Sequence, residues 1–108
     1  MSGTTPRRKG NRAELAVVKT LKAWGWQAKT SRATSGMQKG CDIVTDAPVS
    51  IEVKDRTTLD LSGWLAQAEA NATDDAPGVV WHKRRGQANP EDWYVTMRGE
   101  TLMRLLCR

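Results

Sequence analysis

At 108 residues the chain has room for one domain, residues 1–108, built around one modest core. No run of eighteen or more apolar residues exists, which excludes a transmembrane helix, and the basic N-terminus lacks the apolar stretch of a secretory signal. Seventeen Lys and Arg against twelve Asp and Glu give a net charge of +5, and the two cysteines, Cys41 and Cys107, have no metal-like spacing and are expected to stay reduced in a cytoplasmic protein.

The charge is one-sided. Residues 1–39 hold nine cations (Arg7, Arg8, Lys9, Arg12, Lys19, Lys22, Lys29, Arg32 and Lys39) and a single acid, Glu14. Such a stretch points to a polyanion partner, nucleic acid ahead of a membrane surface, with a plain basic surface as the alternative.

Residues 1–8 read as a flexible basic arm. A helix is predicted from about Gly10 to Trp24, with Val17, Val18 and Leu21 on its apolar face. Glu14 lies three, four and seven residues before them, on the same stripe. A carboxylate there raises the free energy unless it is paired or bound to a cation. It is either a rim residue paired with Arg7, Lys9 or another base, or a functional carboxylate aimed inward.

Gly25 ends this helix, and Trp26 to Arg32 alternates as a strand does. Ala33 to Gly40, with Thr34, Ser35, Gly36, Lys39 and Gly40, is a small-residue basic loop that can touch phosphates, or an ordinary hairpin loop. Strands near 41–45 and 49–54 follow, joined by a turn at Asp46-Ala47-Pro48. Asp60 is the N-cap of a helix over about 61–73, with Leu61, Trp64, Leu65, Ala68 and Ala72 apolar. Gln67 and Asn71, at i and i+4, line another face, by default a solvated one, with contact to a phosphate, a base or metal-bound water as the alternative.

Pro77-Gly78 breaks that helix. Val79 to His82 reads as a buried strand running into a second basic cluster, Lys83-Arg84-Arg85. Residues 93–97 form another strand, and a helix over 99–106 packs Leu102, Met103, Leu105 and Leu106. Trp24, Trp64, Trp81 and Trp93 are expected in the core, with base stacking as the alternative for Trp26 or Trp64. His82 reads as structural or DNA-facing.

The chemistry concentrates at Gly40-Cys41-Asp42-Ile43-Val44 and Ser50-Ile51-Glu52-Val53-Lys54. Ile51 and Val53 alternate with Glu52 and Lys54, so the two charged side chains share one face of a strand. Mg²⁺ takes oxygen ligands, usually one or two carboxylates, and leaves the rest of its shell to water and phosphate. Asp42 and Glu52 fit that count, and the Val53 carbonyl can add an oxygen. Lys54 is placed to neutralise charge on a phosphate or to position an attacking water. The bland alternative is an exposed strand with a Lys–Glu pair.

The order of a helix with Glu, a strand, a Gly/Ser loop, a strand with Asp, a strand with Glu-x-Lys, a helix and a strand resembles the PD-(D/E)xK nuclease superfamily. Within it, the chain resembles small archaeal-type and phage Holliday-junction resolvases over about residues 7–97. The matching pieces are Arg8-Lys9-Gly10 leading into Glu14, Ser35-Gly36, Asp42-Ile43-Val44 and Ile51-Glu52-Val53-Lys54. The usual Pro before the first Asp is Cys41 here.

The resemblance implies an α/β fold, a restriction-endonuclease-like mixed central sheet flanked by helices in the order αβββαββα. It implies that Asp42 and Glu52 bind Mg²⁺, that Lys54 assists the nucleophile, and that Glu14 completes the acidic set; whether Mn²⁺ substitutes is left open. It also implies that Ser35 approaches the scissile strand, and Gln67 falls where related nucleases carry a helical Gln. The expected DNA contacts are Arg7, Arg8, Lys9, Arg12, Ser35, Lys39, Gln67, Lys83, Arg84 and Arg85.

A metal-dependent endonuclease that resolves four-way DNA junctions is the leading expectation. Another nuclease of the superfamily, acting on duplex, nicked or flapped DNA, and a noncatalytic DNA-binding module are the alternatives. One site per chain and two nicks per junction imply a twofold homodimer.

Overall fold

The computed structural model describes residues 6–31 and 42–108. Ala13, Val17, Val18 and Leu21 are buried along one stripe of the first helix, α1 (Pro6–Ala23). It starts four residues before the expected Gly10, so residues 6–8 of the anticipated arm are helical. Proline at the first helical position explains the early start, since its fixed φ suits that site and its missing N–H is not needed there. Gly25 stops the helix at φ +98: its N–H donates to the Lys22 carbonyl and that of Trp26 to the Leu21 carbonyl, both at 3.0 Å.

The strands β1 (Ala28–Thr30) and β2 (Ile43–Thr45) pair antiparallel, Thr30 opposite Ile43. Strand β3 (Ser50–Lys54) runs parallel to β4 (Gly78–His82), Glu52 opposite Val80 and Lys54 opposite His82. The crossover a parallel pair requires is α2 (Leu61–Ala70). Asp60 caps it as expected, its Oδ1 accepting from the Gly63 N–H at 3.1 Å. It ends at Ala70, short of residue 73, because Thr73 and Ala76 form a β-bridge that turns the chain. Strand β5 (Tyr94–Thr96) pairs antiparallel with β4, and α3 (Gly99–Leu106) closes the order.

The result is an α/β fold with three α-helices among the described residues and mixed strand pairing. One central sheet was expected; the strands instead form a two-stranded sheet, β1-β2, and a three-stranded one, β3-β4-β5. The reason lies at Asp42. Its N–H still donates to the Ile51 carbonyl at 3.3 Å, but its carboxylate, not a backbone carbonyl, accepts the Val53 N–H at 2.7 Å. A side chain has taken a place in the ladder, and β2 and β3 part there.

Two cores hold the layers. Val17, Leu21, Ile43, Ile51, Val53, Val79 and Trp93 join α1 to one side of the strands, and Trp64, Ala68 and Val80 join α2 to the other. Gly78 lets α2 lie directly on β4: a Cβ there would meet the Ala68 carbonyl oxygen at 2.5 Å.

Trp64 and Trp93 are buried as expected, and Trp81 half-buried. Trp24 is not in the core but 71% exposed, at the point where the chain turns away, and its Nε1 donates to Glu91 Oε2 at 2.7 Å. The packing expected of α3 also fails: Thr101 is its one buried residue, Leu105 is half-buried, and Leu102, Met103 and Leu106 are exposed.

Candidate active site

Glu52 and Lys54 lie on the face of β3 that looks toward α2, as the alternation requires. Lys54 Nζ is 3.7 Å from Glu52 Oε2 and donates to Gln67 Oε1 at 3.1 Å. Gln67 is exposed, as expected of a solvated face, and its Oε1 also joins it to the constellation. The bond between the Val53 N–H and Asp42 fixes the first carboxylate beside the strand that carries the second. Amide and carbonyl of one strand residue point the same way, so the Val53 carbonyl lies on the Asp42 side, while the Lys54 carbonyl accepts from the Lys83 N–H at 2.8 Å on the other. Glu14, Asp42, Glu52, Lys54 and Gln67 line one cavity of about 310 Å³, with Gly10 and Asn11 of α1 at its wall.

Glu52 is the strained member. It is 5% exposed, and its Oε1 is buried with no hydrogen-bond partner among the described residues. Burial pushes its pKa up to about 7, and the charge of Asp42 adds to the rise. The adjacent Lys54 opposes the shift, and Glu14 contributes a smaller upward push. An unpartnered buried carboxylate oxygen beside a second carboxylate is what a divalent cation satisfies. The donor set, two carboxylates and a backbone carbonyl, is all oxygen and fits Mg²⁺ or Mn²⁺. Among the described residues, no group of three His, Cys, Asp or Glu side chains is gathered closely enough to hold a metal by itself. Glu14 lines the same cavity as Asp42 and Glu52, and its charge reaches Glu52.

No family model, curated protein or solved structure matches the chain.

The expected DNA contacts divide. Lys9 and Arg12 on α1 line a neighbouring cavity together with Lys83 and Arg85. Arg84 does not line it; its guanidinium lies over the Tyr94 ring, 5.3 Å from the centroid. Arg8 is exposed on α1. Ser35, Lys39, Cys41 and the side chain of Arg7 fall outside the described residues. His82 is buried, with Nε2 2.8 Å from Thr96 Oγ1 and its ring between Trp64 and Tyr94, so its role is structural. Burial lowers its pKa.

Sequence reasoning missed Asp55 and Arg56, which line both cavities. Their signal was position: they follow Lys54 directly, at the end of the strand that carries the site. It also missed Asn11, which sits three residues before Glu14, on the same side of α1.

Proposed function

We propose that this chain is a divalent-metal-dependent DNA endonuclease of restriction-endonuclease-like architecture that cuts four-way junctions by phosphodiester hydrolysis. The observation that carries the reading is Glu52: a buried carboxylate with an unpartnered oxygen, beside Asp42 and 3.7 Å from Lys54. A carboxylate so placed weakens the fold unless a cation meets it, and structural pairs seldom leave an oxygen orphaned. The helix–three strands–helix–two strands–helix order supports the resemblance to PD-(D/E)xK nucleases.

Asp42, Glu52 and the Val53 carbonyl would hold Mg²⁺ or Mn²⁺. Such an ion, when bound, supplies Lewis acidity toward a phosphate oxygen and toward water. Asp42 serves from a fixed position, because the Val53 N–H orients its carboxylate. Gln67 holds the Lys54 ammonium by its Oε1, and Lys54 offsets negative charge that builds on the phosphate during attack. Glu14 closes the cavity from α1 and repels any anion not accompanied by a cation. Cations on α1 and after β4 bind the backbone, so recognition follows phosphates and branch shape rather than base edges. Paired nicks would come from a homodimer whose symmetry matches the junction.

A noncatalytic DNA-binding module is the alternative, and it predicts binding that ignores Mg²⁺ and tolerates loss of Asp42. A single assay separates the readings: a synthetic four-way junction and a matched linear duplex, with Mg²⁺ or EDTA, for wild type and Asp42→Asn. Paired symmetric nicks on the junction alone, lost with EDTA and with the variant, are expected. Equal cutting of the duplex moves the substrate to general DNA. Binding without cutting under any divalent cation rejects the enzyme.

A further inference from the structure

The cavity that holds Asp42 and Glu52 borders a second one of about 290 Å³, and Asp55 and Arg56 line both. Three separate stretches build the second wall: Lys9 and Arg12, one helical turn apart on α1; Arg56, just past β3; and Lys83 and Arg85, just past β4. Parallel pairing of β3 with β4 brings the two strand exits side by side.

Five cations thus surround one acid, Asp55, whose Oδ2 lies 4.0 Å from Lys83 Nζ. Lys83 is anchored by its backbone bond to Lys54 and by the Trp93 ring, 5.9 Å from Nζ to the centroid. Gly86 bends the loop at φ +77, a turn that residues with a Cβ rarely adopt.

Cations gathered this closely raise one another's electrostatic energy, and an anion among them reverses the sign. The volume sits at the low end of ligand pockets, which run from about 300 Å³ upward. It suits a phosphate with its waters better than a whole nucleoside. Continuity decides which phosphate. A free anion or a chain end needs no exit, whereas this cavity shares a wall with the one that carries the carboxylates.

We propose that it is the subsite for one internal, non-scissile phosphodiester of the strand being cut, next to the phosphate at Asp42 and Glu52. The path of the strand rests on the nuclease reading above; the anion site itself does not. Arg56 and Arg85 are its specific ligands, and both are exposed in the free protein.

The test is binding rather than cleavage. An immobile four-way junction carries a single neutral methylphosphonate, stepped along one strand, and affinity is read by fluorescence anisotropy in EDTA. One position is expected to weaken wild-type binding on the order of tenfold. In Arg56→Ala/Arg85→Ala that penalty falls below about twofold, because the ligands are already gone. Arg85→Ala alone repeats the comparison if circular dichroism shows the double variant unfolded.

A penalty unchanged in the variant, or a wild-type profile with no outstanding position, overturns the subsite. So does a response confined to removing a 5′-terminal phosphate, which marks a terminal monoester. A protein with the focal phosphate that cuts under no divalent cation loses the nuclease reading and keeps the subsite. A protein that cuts but has no focal phosphate does the reverse.

Discussion

Replacing Glu52 by Gln is predicted to stabilise the metal-free protein. In the fold its carboxyl titrates near pH 7, against an ordinary value of 4.5. Between those two values the folded protein holds a proton that the unfolded chain has released, so stability falls as pH rises through the window and levels off above the folded pKa. Two and a half pH units correspond to roughly 3 kcal/mol, since each unit is worth about 1.4 kcal/mol. Glu52→Gln removes the charge and nearly keeps the shape. At pH 8 in EDTA it should recover up to about 3 kcal/mol, on the order of 10 °C in Tm, and near pH 5 it should match wild type. Urea unfolding followed by tryptophan fluorescence from pH 5 to 8 measures this, and subtracting the variant removes the titration of other groups. Adding Mg²⁺ or Mn²⁺ at pH 8 should then stabilise wild type and leave the variant unmoved. A flat wild-type profile with a less stable variant at pH 8 refutes the reasoning, because Glu52 would then be a satisfied structural carboxylate.

Three further outcomes follow from the geometry. Lys54→Ala should lower junction cleavage by about 10²- to 10³-fold while changing DNA binding by no more than about threefold, as single-turnover rates and anisotropy would show. Gly78→Ala should destabilise by about 2–3 kcal/mol in urea, because the new Cβ meets backbone atoms of Ala68 and Glu69 that cannot step aside; an unchanged midpoint would mean α2 lies farther from β4. Removing Arg7, Arg8 and Lys9 together should weaken binding and reduce the slope of log affinity against log salt by about two to three. An unchanged slope would place the DNA elsewhere.

Much of the site was legible because it is written in strand alternation. Glu52 and Lys54 fall on one face wherever the strand ends, and Asp60 caps α2 through a local bond. The bounds of α3 were equally local, from Gly99 to Leu106, but its burial was not. An amphipathic pattern says which face is apolar, not whether another element lies opposite, so Leu102 and Met103 were expected inside and are outside. Trp24 misled for a similar reason, since composition favours a buried tryptophan and only the turn at Gly25 puts it in solvent. Arg56 was invisible because its neighbours in space, Lys9 and Arg85, are remote in sequence. The parting of β2 from β3 depends on one carboxylate accepting a backbone proton, which no periodicity encodes.

That shared proton has a practical use. The Val53 amide donates over 2.7 Å to a carboxylate oxygen of Asp42, a short bond of the kind that moves an amide resonance downfield. Whatever protonates Asp42 or sets a cation against it draws electron density off the acceptor and shifts that single peak. In a nitrogen-15 spectrum, Val53 would serve as an internal gauge of occupancy at the neighbouring carboxylate, readable without DNA, catalysis or a label on the site.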